Sequence, residues 1–340
     1  MDSTRLRDLL DRIPRQTILV VGDYFLDKYL DIDPGLGEPS LETGLEAHQV
    51  VGVRCYPGAA GTVANNLRAL EANVIALSVV GQDGEGEDLR RALARTGVDI
   101  SALITAPGRF TPTYLKPMLR QAGAPARELN RLDTKNRVPL DPDIEARLMA
   151  SLADRLPCVQ AVVICDQVTE ANCGVITDRV REALSSLAFA HAMVVFAADS
   201  RERIGDFRDM IVKPNAPEAA RATGQKDLTA AGQELCRRTR RPVVLTHGDQ
   251  GAFVFGPDTV EHVPAIRVAG PIDVVGAGDS AMAGLVAALC AGASLTEAAL
   301  VGNLLASLTI QQLGVTGTAT RGQVLRRFEE ACSKSAEAGT

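Results

Sequence analysis

Residues 273–284 read DVVGAGDSAMAG and run straight into a long apolar stretch with helical character. Gly276, Ala277 and Gly278 allow a ligand close to the backbone, and their N–H groups converge at a helix start. That combination forms an anion hole, suited to phosphate or to a developing oxyanion. Asp279 follows in the first helical turn. A carboxylate cannot bind phosphate, so beside an anion hole its chemistry is proton acceptance. It would take the proton of an attacking hydroxyl while the amides hold a transferring phosphoryl group. Taken alone, the stretch also reads as a Gly-rich turn with an acidic residue that suits the helix dipole.

Other chemistries leave no trace. No Lys follows a Gly, which excludes the G-x-x-x-x-G-K-[ST] phosphate loop. The H-R-D of protein kinases, the G-x-S-x-G nucleophile elbow and the G-x-G-x-x-G dinucleotide fingerprint are missing too, so a nicotinamide-dependent enzyme is disfavoured. His48, His191, His247 and His262 stand singly, which suggests neither a zinc site nor a triad. Seven scattered cysteines without a C-x-x-C read as thiols in a reducing compartment.

The elements that must position this stretch alternate between extended and helical patterns. Thr17–Val21 (TILVV) is a continuous apolar run of strand length, as in a strand covered on both faces. Helices are expected at Thr62–Leu70, Asp88–Arg95, Asp141–Leu156, near Thr177–Leu187, Ala216–Thr223, Leu228–Arg238, Asp279–Ala291, Leu295–Leu313 and Gln323–Ala336. Strands are expected at Val74–Val80, Ala161–Cys165, Met193–Ala197, Met210–Val212 and Val243–Thr246, followed by a hairpin of Ala252–Phe255 and Thr259–Pro264. The rhythm predicts an α/β fold with a doubly wound, largely parallel sheet. Two stretches break it, 33–56 and 111–133, the second containing a flexible QAGAPA turn. Both read as β-hairpin material inserted into the core, giving a small β lid on a single domain spanning 1–340.

The 340 residues carry 36 Lys+Arg against 42 Asp+Glu, a formal net charge of −6. A general nucleic-acid binder needs a basic footprint, so nucleic acid is not an expected partner. The longest apolar run, Ala281–Ala293, is too short to span a bilayer, and the charged N-terminus is no signal peptide. The expected setting is cytoplasmic, without a membrane partner.

Taken together, the motifs resemble the ribokinase-like (PfkB) family of carbohydrate kinases. Asp273, Gly276, Ala277, Gly278, Asp279 and Gly284 match its C-terminal signature, and PGAAGTVANNLRALEANVIALSVVGQDGEG (57–86) its N-terminal one. Gly22-Asp23 with Asp27 is similar to the G-D-x-x-x-D opening of several members, and KPNAPE (213–218) to the N-x-x-E element. The resemblance implies an ATP-dependent phosphotransferase acting on a sugar or sugar phosphate. Asp279 would be the base, and Gly276, Ala277 and Gly278 the anion hole. Asp23, Asp27, Gly58 and Asn66 lie in segments that meet the sugar in relatives, with Asp23 accepting hydroxyl hydrogen bonds. Lys213, Asn215, Glu218, Thr246, Gly248, Gly251 and Asn303 would surround the nucleotide, and Glu218 would reach Mg2+ through water. Ordinary readings stand beside these. Asn215 and Glu218 form a capping-box pattern, Lys213 as a lone Lys reads as solvated, Asn66 could stabilise its own helix, and Asn303 could bond within the core. The resemblance also implies a monovalent cation near Asp273 and the Gly314–Gly317 loop.

Within the family, the chain is similar to heptose 7-phosphate kinase-like members through VVGDYFLDKY, Lys116, Arg131-Leu132-Asp133 and Asp199. A sugar phosphate needs cations, for which Lys116, Arg120, Arg131 and Arg201 are candidates. Departures at Thr62, Val275, Asp166-Gln167-Val168 and Arg201 sit on ligand-facing loops. They leave room for another acceptor sugar, or for a non-catalytic sugar- or nucleotide-binding member of the fold. Apolar lid residues Val50, Val51 and Val53 suggest a homodimer in which two lids pair.

Overall fold

The computed structural model describes residues 1–120, 123 and 126–338. The chain opens with α1 (Ser3–Arg12), then β1 (Thr17–Gly22). Two long strands follow, β2 (Tyr24–Pro39) and β3 (Glu46–Ala59), before α2 (Ala60–Ala69), β4 (Asn73–Gly81), α3 (Gly84–Arg95) and β5 (Leu103–Ala106). A second inserted segment supplies β6 (Thr113–Leu119), β7 (Arg127–Glu128) and β8 (Leu132–Thr134). The chain returns to the core with α4 (Pro142–Arg155), β9 (Ala161–Asp166), α5 (Asp178–Ala190), β10 (Val195–Ser200), β11 (Ile211–Val212), α6 (Ala216–Thr223), α7 (Leu228–Thr239) and β12 (Val243–Thr246). It ends with the hairpin β13 (Ala252–Phe255) and β14 (Val260–Val263), then α8 (Ala277–Cys290), α9 (Leu295–Thr309) and α10 (Arg321–Ala338).

Among the described residues the main sheet has nine strands in the order β14-β13-β12-β11-β10-β9-β1-β4-β5. Every pairing from β12 through β5 is parallel, and only the terminal hairpin is antiparallel. Ile18, Leu19, Val20 and Val21 of β1 are fully buried, because helices cover both faces. Each face has its own core. One gathers α1, α2, α8, α9 and α10 around Ile18 and Val20. The other gathers α4, α5 and α7 around Leu19 and Val21. The strand order reverses at β1, with β9 on one side and β4 on the other. Open α/β sheets bind ligands beyond the strand carboxyl ends at such a switch point.

A second sheet in the order β3-β2-β6-β7, with β8 also on β6, forms the lid. It is larger than the predicted 33–56 insertion: β2 begins at Tyr24, two residues after β1 ends, and β3 continues to Ala59. Phe25, Leu26, Tyr29 and Ile32 are buried, so the segment containing Asp27, expected to meet a sugar, is also lid strand. Strand β5 was not expected from the sequence, and α9 ends at Thr309, four residues early. Residues 121, 122, 124 and 125 of the QAGAPA turn lie outside the described residues.

Helices α8 and α9 cross closely. A Cβ on Gly284 would stand 2.9 Å from the Val301 carbonyl oxygen, and one on Gly302 would stand 2.8 Å from that of Ala281. Neither position can carry a larger residue without separating the helices.

Candidate active site

Helix starts single out one place. Helices α1, α3, α4, α5, α6, α7 and α9 each begin with an Asp, Asn, Ser or Thr side chain that accepts a backbone N–H of the first turn. Helices α2 and α8 have no side-chain cap. Their starts are neighbours: a Cβ on Gly276 would stand 2.6 Å from Thr316 Cγ2 and 3.4 Å from Thr62 Cγ2 of α2. Two positive helix ends therefore meet at one point, an arrangement that favours anions.

Gly276 is the N-cap of α8, with φ 79° in the left-handed region that glycine adopts freely. The Ala277 N–H is committed to the Val274 carbonyl at 3.2 Å. Among the described residues, the N–H groups of Gly278 and Asp279 have no such partner, so they remain for a ligand. Of the expected Gly276–Gly278 set, only the Ala277 N–H is engaged; that of Gly276 has no backbone partner among the described residues either. Asp273 organises the approach. Its carboxylate accepts the N–H of Val275 at 3.1 Å and of Gly314 at 3.3 Å, which joins the two segments expected to frame a monovalent cation.

Asp279 keeps part of its surface open to solvent, but its surroundings are crowded. Burial first, then the nearby Asp199, push its carboxyl up to about 7; Lys213 and Arg201 pull against them, and Asp27 adds to the push. A carboxylate poised near neutrality suits a general base. Lys213 is not solvated as a lone Lys would be. It is 3% exposed, with Nζ 3.0 Å from Asp199 Oδ2. Burial pulls the ammonium down, but Asp199, Glu218 and Asp279 outweigh it and hold it charged. A Cβ on Gly278 would lie 3.6 Å from this Nζ, which places the cation beside the helix start.

Among the residues expected around a nucleotide, Asn215 and Glu218 make a complete capping box on α6. Asn215 N–H donates to Glu218 Oε2 at 2.8 Å, and Glu218 N–H donates to Asn215 Oδ1 at 2.9 Å. Burial and Asp199 raise the Glu218 carboxyl above its ordinary range. Thr246 N–H donates to the Pro214 carbonyl at 2.9 Å, which ties β12 to this segment. Gly248 and Gly251 both have positive φ, and a Cβ on Gly251 would stand 2.2 Å from the Val263 carbonyl oxygen. Asn303 Nδ2 donates to the carbonyls of Val263 and Pro264, both at 3.1 Å, so it fastens the end of β14 to α9. Among the described residues, no three His, Cys, Asp or Glu side chains are grouped to hold a metal. Glu218 is a single carboxylate of the kind that meets Mg2+ through water while phosphates supply the other ligands.

A cleft lies between lid residues Phe25 and Tyr114 and the loop after β9. Arg109, Lys135 and Arg201 line it. Asp27 and Lys116 form a shielded pair at 2.8 Å, with Nζ also 3.1 Å from the Tyr29 hydroxyl. Gly58 lets Asp27 in, since a Cβ there would stand 2.6 Å from Asp27 Oδ2. Asn66 is fully buried. Its Nδ2 donates to the carbonyls of Thr62 at 3.0 Å and Gly317 at 3.2 Å, while Oδ1 has no partner. Three expected substrate contacts are otherwise engaged. Arg131 pairs with Asp133 at 2.6 Å and lies over the Tyr114 ring, and Arg120 pairs with Asp31 at 2.7 Å. Asp23 spends its carboxylate on the N–H groups of Gln167, Val168 and Val175. Arg109 and Arg203 escaped the sequence reading, and Asp166 entered it only as a departure on a ligand-facing loop, because their partners come from distant segments that no spacing rule connects.

The chain is similar to known proteins over most of its length. The model of the pfkB family carbohydrate kinases matches residues 30–321. The chain is 29% identical over 333 residues to the bifunctional protein HldE of Trichlorobacter lovleyi, covering 96% of this chain and 65% of that protein. It is 31% identical over 336 residues to HldE of Hyphomonas neptunium, covering 94% and 64%. It therefore spans just under two thirds of the length of these relatives. In fold it is similar to phosphofructokinase-2 from Escherichia coli, with TM-score 0.70, 18% identity, and 93% and 99% of the two chains covered. Arabidopsis thaliana ribokinase, complexed with ribose and ATP, gives TM-score 0.65 at 18% identity, covering 92% and 99%. From the GAGD helix start to the β lid, the chain belongs to the pfkB family of carbohydrate kinases.

Proposed function

We propose that this protein transfers the γ-phosphoryl group of ATP to a hydroxyl of a sugar or sugar phosphate. One observation carries the reading: Asp279, poised near neutrality, stands at the uncapped start of α8 beside free backbone N–H groups. Asp279 takes the acceptor hydroxyl proton. The Gly278 and Asp279 N–H groups and Lys213 stabilise charge on the transferring phosphoryl group. Mg2+, met by Glu218 through water, would neutralise the nucleotide phosphates. Asn215, Thr246, Gly248 and Gly251 shape the nucleotide loops, and Asn303 supports them. The lid carries Asp27, Gly58 and Lys116 to the acceptor and excludes water.

The acceptor we favour is a phosphorylated heptose, as in D-glycero-D-manno-heptose 7-phosphate 1-kinase-like members. Its support is the resemblance to that subgroup and the cations Arg109, Lys135 and Arg201 in the cleft. The whole chain acts as one unit, a monovalent cation sits by Asp273, and two lids pair through Val50, Val51 and Val53, which are 44–56% exposed. No described helix is long and apolar enough to cross a membrane.

The test is ADP release across sugars and sugar phosphates, with and without K+. Release with a phosphorylated sugar supports both parts. Release with neutral sugars alone refutes the anionic acceptor. Ligand binding without ADP overturns phosphotransfer. Light scattering at micromolar concentration checks the dimer, and a monomeric mass counts against lid pairing.

A further inference from the structure

The loop after β9, residues 167–175, contains no motif, yet three side chains from outside it hold its backbone. Asp23 spends both carboxylate oxygens there. Oδ2 accepts the N–H of Gln167 at 2.8 Å and of Val168 at 3.0 Å, and Oδ1 accepts that of Val175 at 2.7 Å. The residue is 2% exposed. Gly174 makes the approach possible, since a Cβ there would stand 2.7 Å from Asp23 Oδ1. Arg203 holds the same loop by its carbonyls, donating to Val168 at 2.6 Å and Thr169 at 3.2 Å. Behind it, Arg203 faces the buried Asp166 at 3.5 Å. Arg109 donates to the Cys173 carbonyl at 2.5 Å.

The loop so held forms a wall of the acceptor cleft, opposite Phe25 and Tyr114. Charge-assisted hydrogen bonds from a carboxylate to backbone N–H groups are strong, and losing them leaves buried donors unpaired. Resting on the phosphotransferase reading, we infer that Asp23 is a positioning residue. It shapes the acceptor cleft by clipping loop 167–175 through three backbone N–H groups, and does not act by receiving the acceptor's hydroxyls.

The two roles respond differently to Asp23→Asn. A sugar hydroxyl both donates and accepts, so an amide could replace the carboxylate in a direct contact. The clip cannot tolerate the change, because the new NH2 group would face N–H donors. The experiment is hydrogen exchange by mass spectrometry on the full chain without ligands, paired with steady-state kinetics.

In Asp23→Asn, exchange across 167–175 rises by about tenfold or more, the scale set by unpaired buried N–H groups, while α8 keeps its protection. The acceptor KM rises and the ATP KM does not. Gly174→Ala, which drives a Cβ against Asp23 Oδ1 while leaving Asp23 itself a carboxylate, loosens the same segment and covers the case in which Asp23→Asn fails to fold. Unchanged loop exchange in a folded Asp23→Asn or Gly174→Ala variant overturns the clip. A wild-type protein inactive on every acceptor would sink the phosphotransferase reading, while the exchange data would still decide the clip.

Discussion

The start of α8 and the loop after β9 are built on opposite principles. At α8 the N-cap is a glycine, no side chain caps the helix, and two first-turn N–H groups are left without partners. At loop 167–175, side chains from β1's end, the segment after β10 and the pre-lid loop take up backbone groups. The helix start is built from local backbone geometry and keeps its hydrogen-bonding capacity for a ligand. The loop is built from long-range side-chain contacts and spends its capacity on its own shape. On the proposed function, phosphoryl transfer would rest on backbone and acceptor fit on tertiary scaffolding.

The strongest way to break this comparison is Asp279→Asn. Turnover should fall by roughly 10²–10⁴-fold, the span of a general base, measured as ADP release with saturating substrates. A folded variant with near-wild-type turnover would falsify the base. The pH profile sharpens the same point. Since the Asp279 carboxyl sits at about 7, kcat/KM should fall on the acid side of that value. Stability runs the other way. The folded state retains a proton between the ordinary value of 3.8 and about 7, so this group's contribution declines as pH rises through 7. Asp279→Asn should therefore raise the melting temperature at pH 8, with the gain shrinking as pH falls from 7 and vanishing only below the ordinary value of 3.8.

Next comes the lid. Lys116→Ala strands the shielded Asp27 carboxylate and should cost about 3–5 kcal/mol, read from urea unfolding. The double variant Lys116→Met, Asp27→Asn should recover most of it. Gly276→Ala should cost about 1–2 kcal/mol for a left-handed alanine, plus the clash at Thr316. Turnover should drop further than thermal stability does. The smallest effect is expected at an ordinary helix start. Asp227→Ala removes the cap of α7 and should cost about 1 kcal/mol with turnover unaffected. If it reduced turnover as Gly276→Ala does, capped and uncapped starts would not differ in role.

What could be read before the structure follows the same division. TILVV, the GAGD stretch and the Asn215–Glu218 box are local patterns, and each folds as its spacing predicts. The lid showed only as a break in rhythm, and its true start at Tyr24 was hidden because β2 follows β1 almost at once. Asp23 could be placed at a strand end but its partners could not, since Gln167 is 144 residues away in sequence. Lys213 looked solvated because nothing nearby in the chain announces Asp199.

The glycine crossing of α8 and α9 has an evolutionary consequence. Gly284 and Gly302 leave no room for change, so the helix that carries Asp279 is anchored against drift. Divergence among descendants of this chain would collect in loop 167–175 and the lid, where substitutions can alter the acceptor while the phosphoryl end keeps its geometry. A library aimed at a new acceptor would vary those segments and leave the crossing untouched.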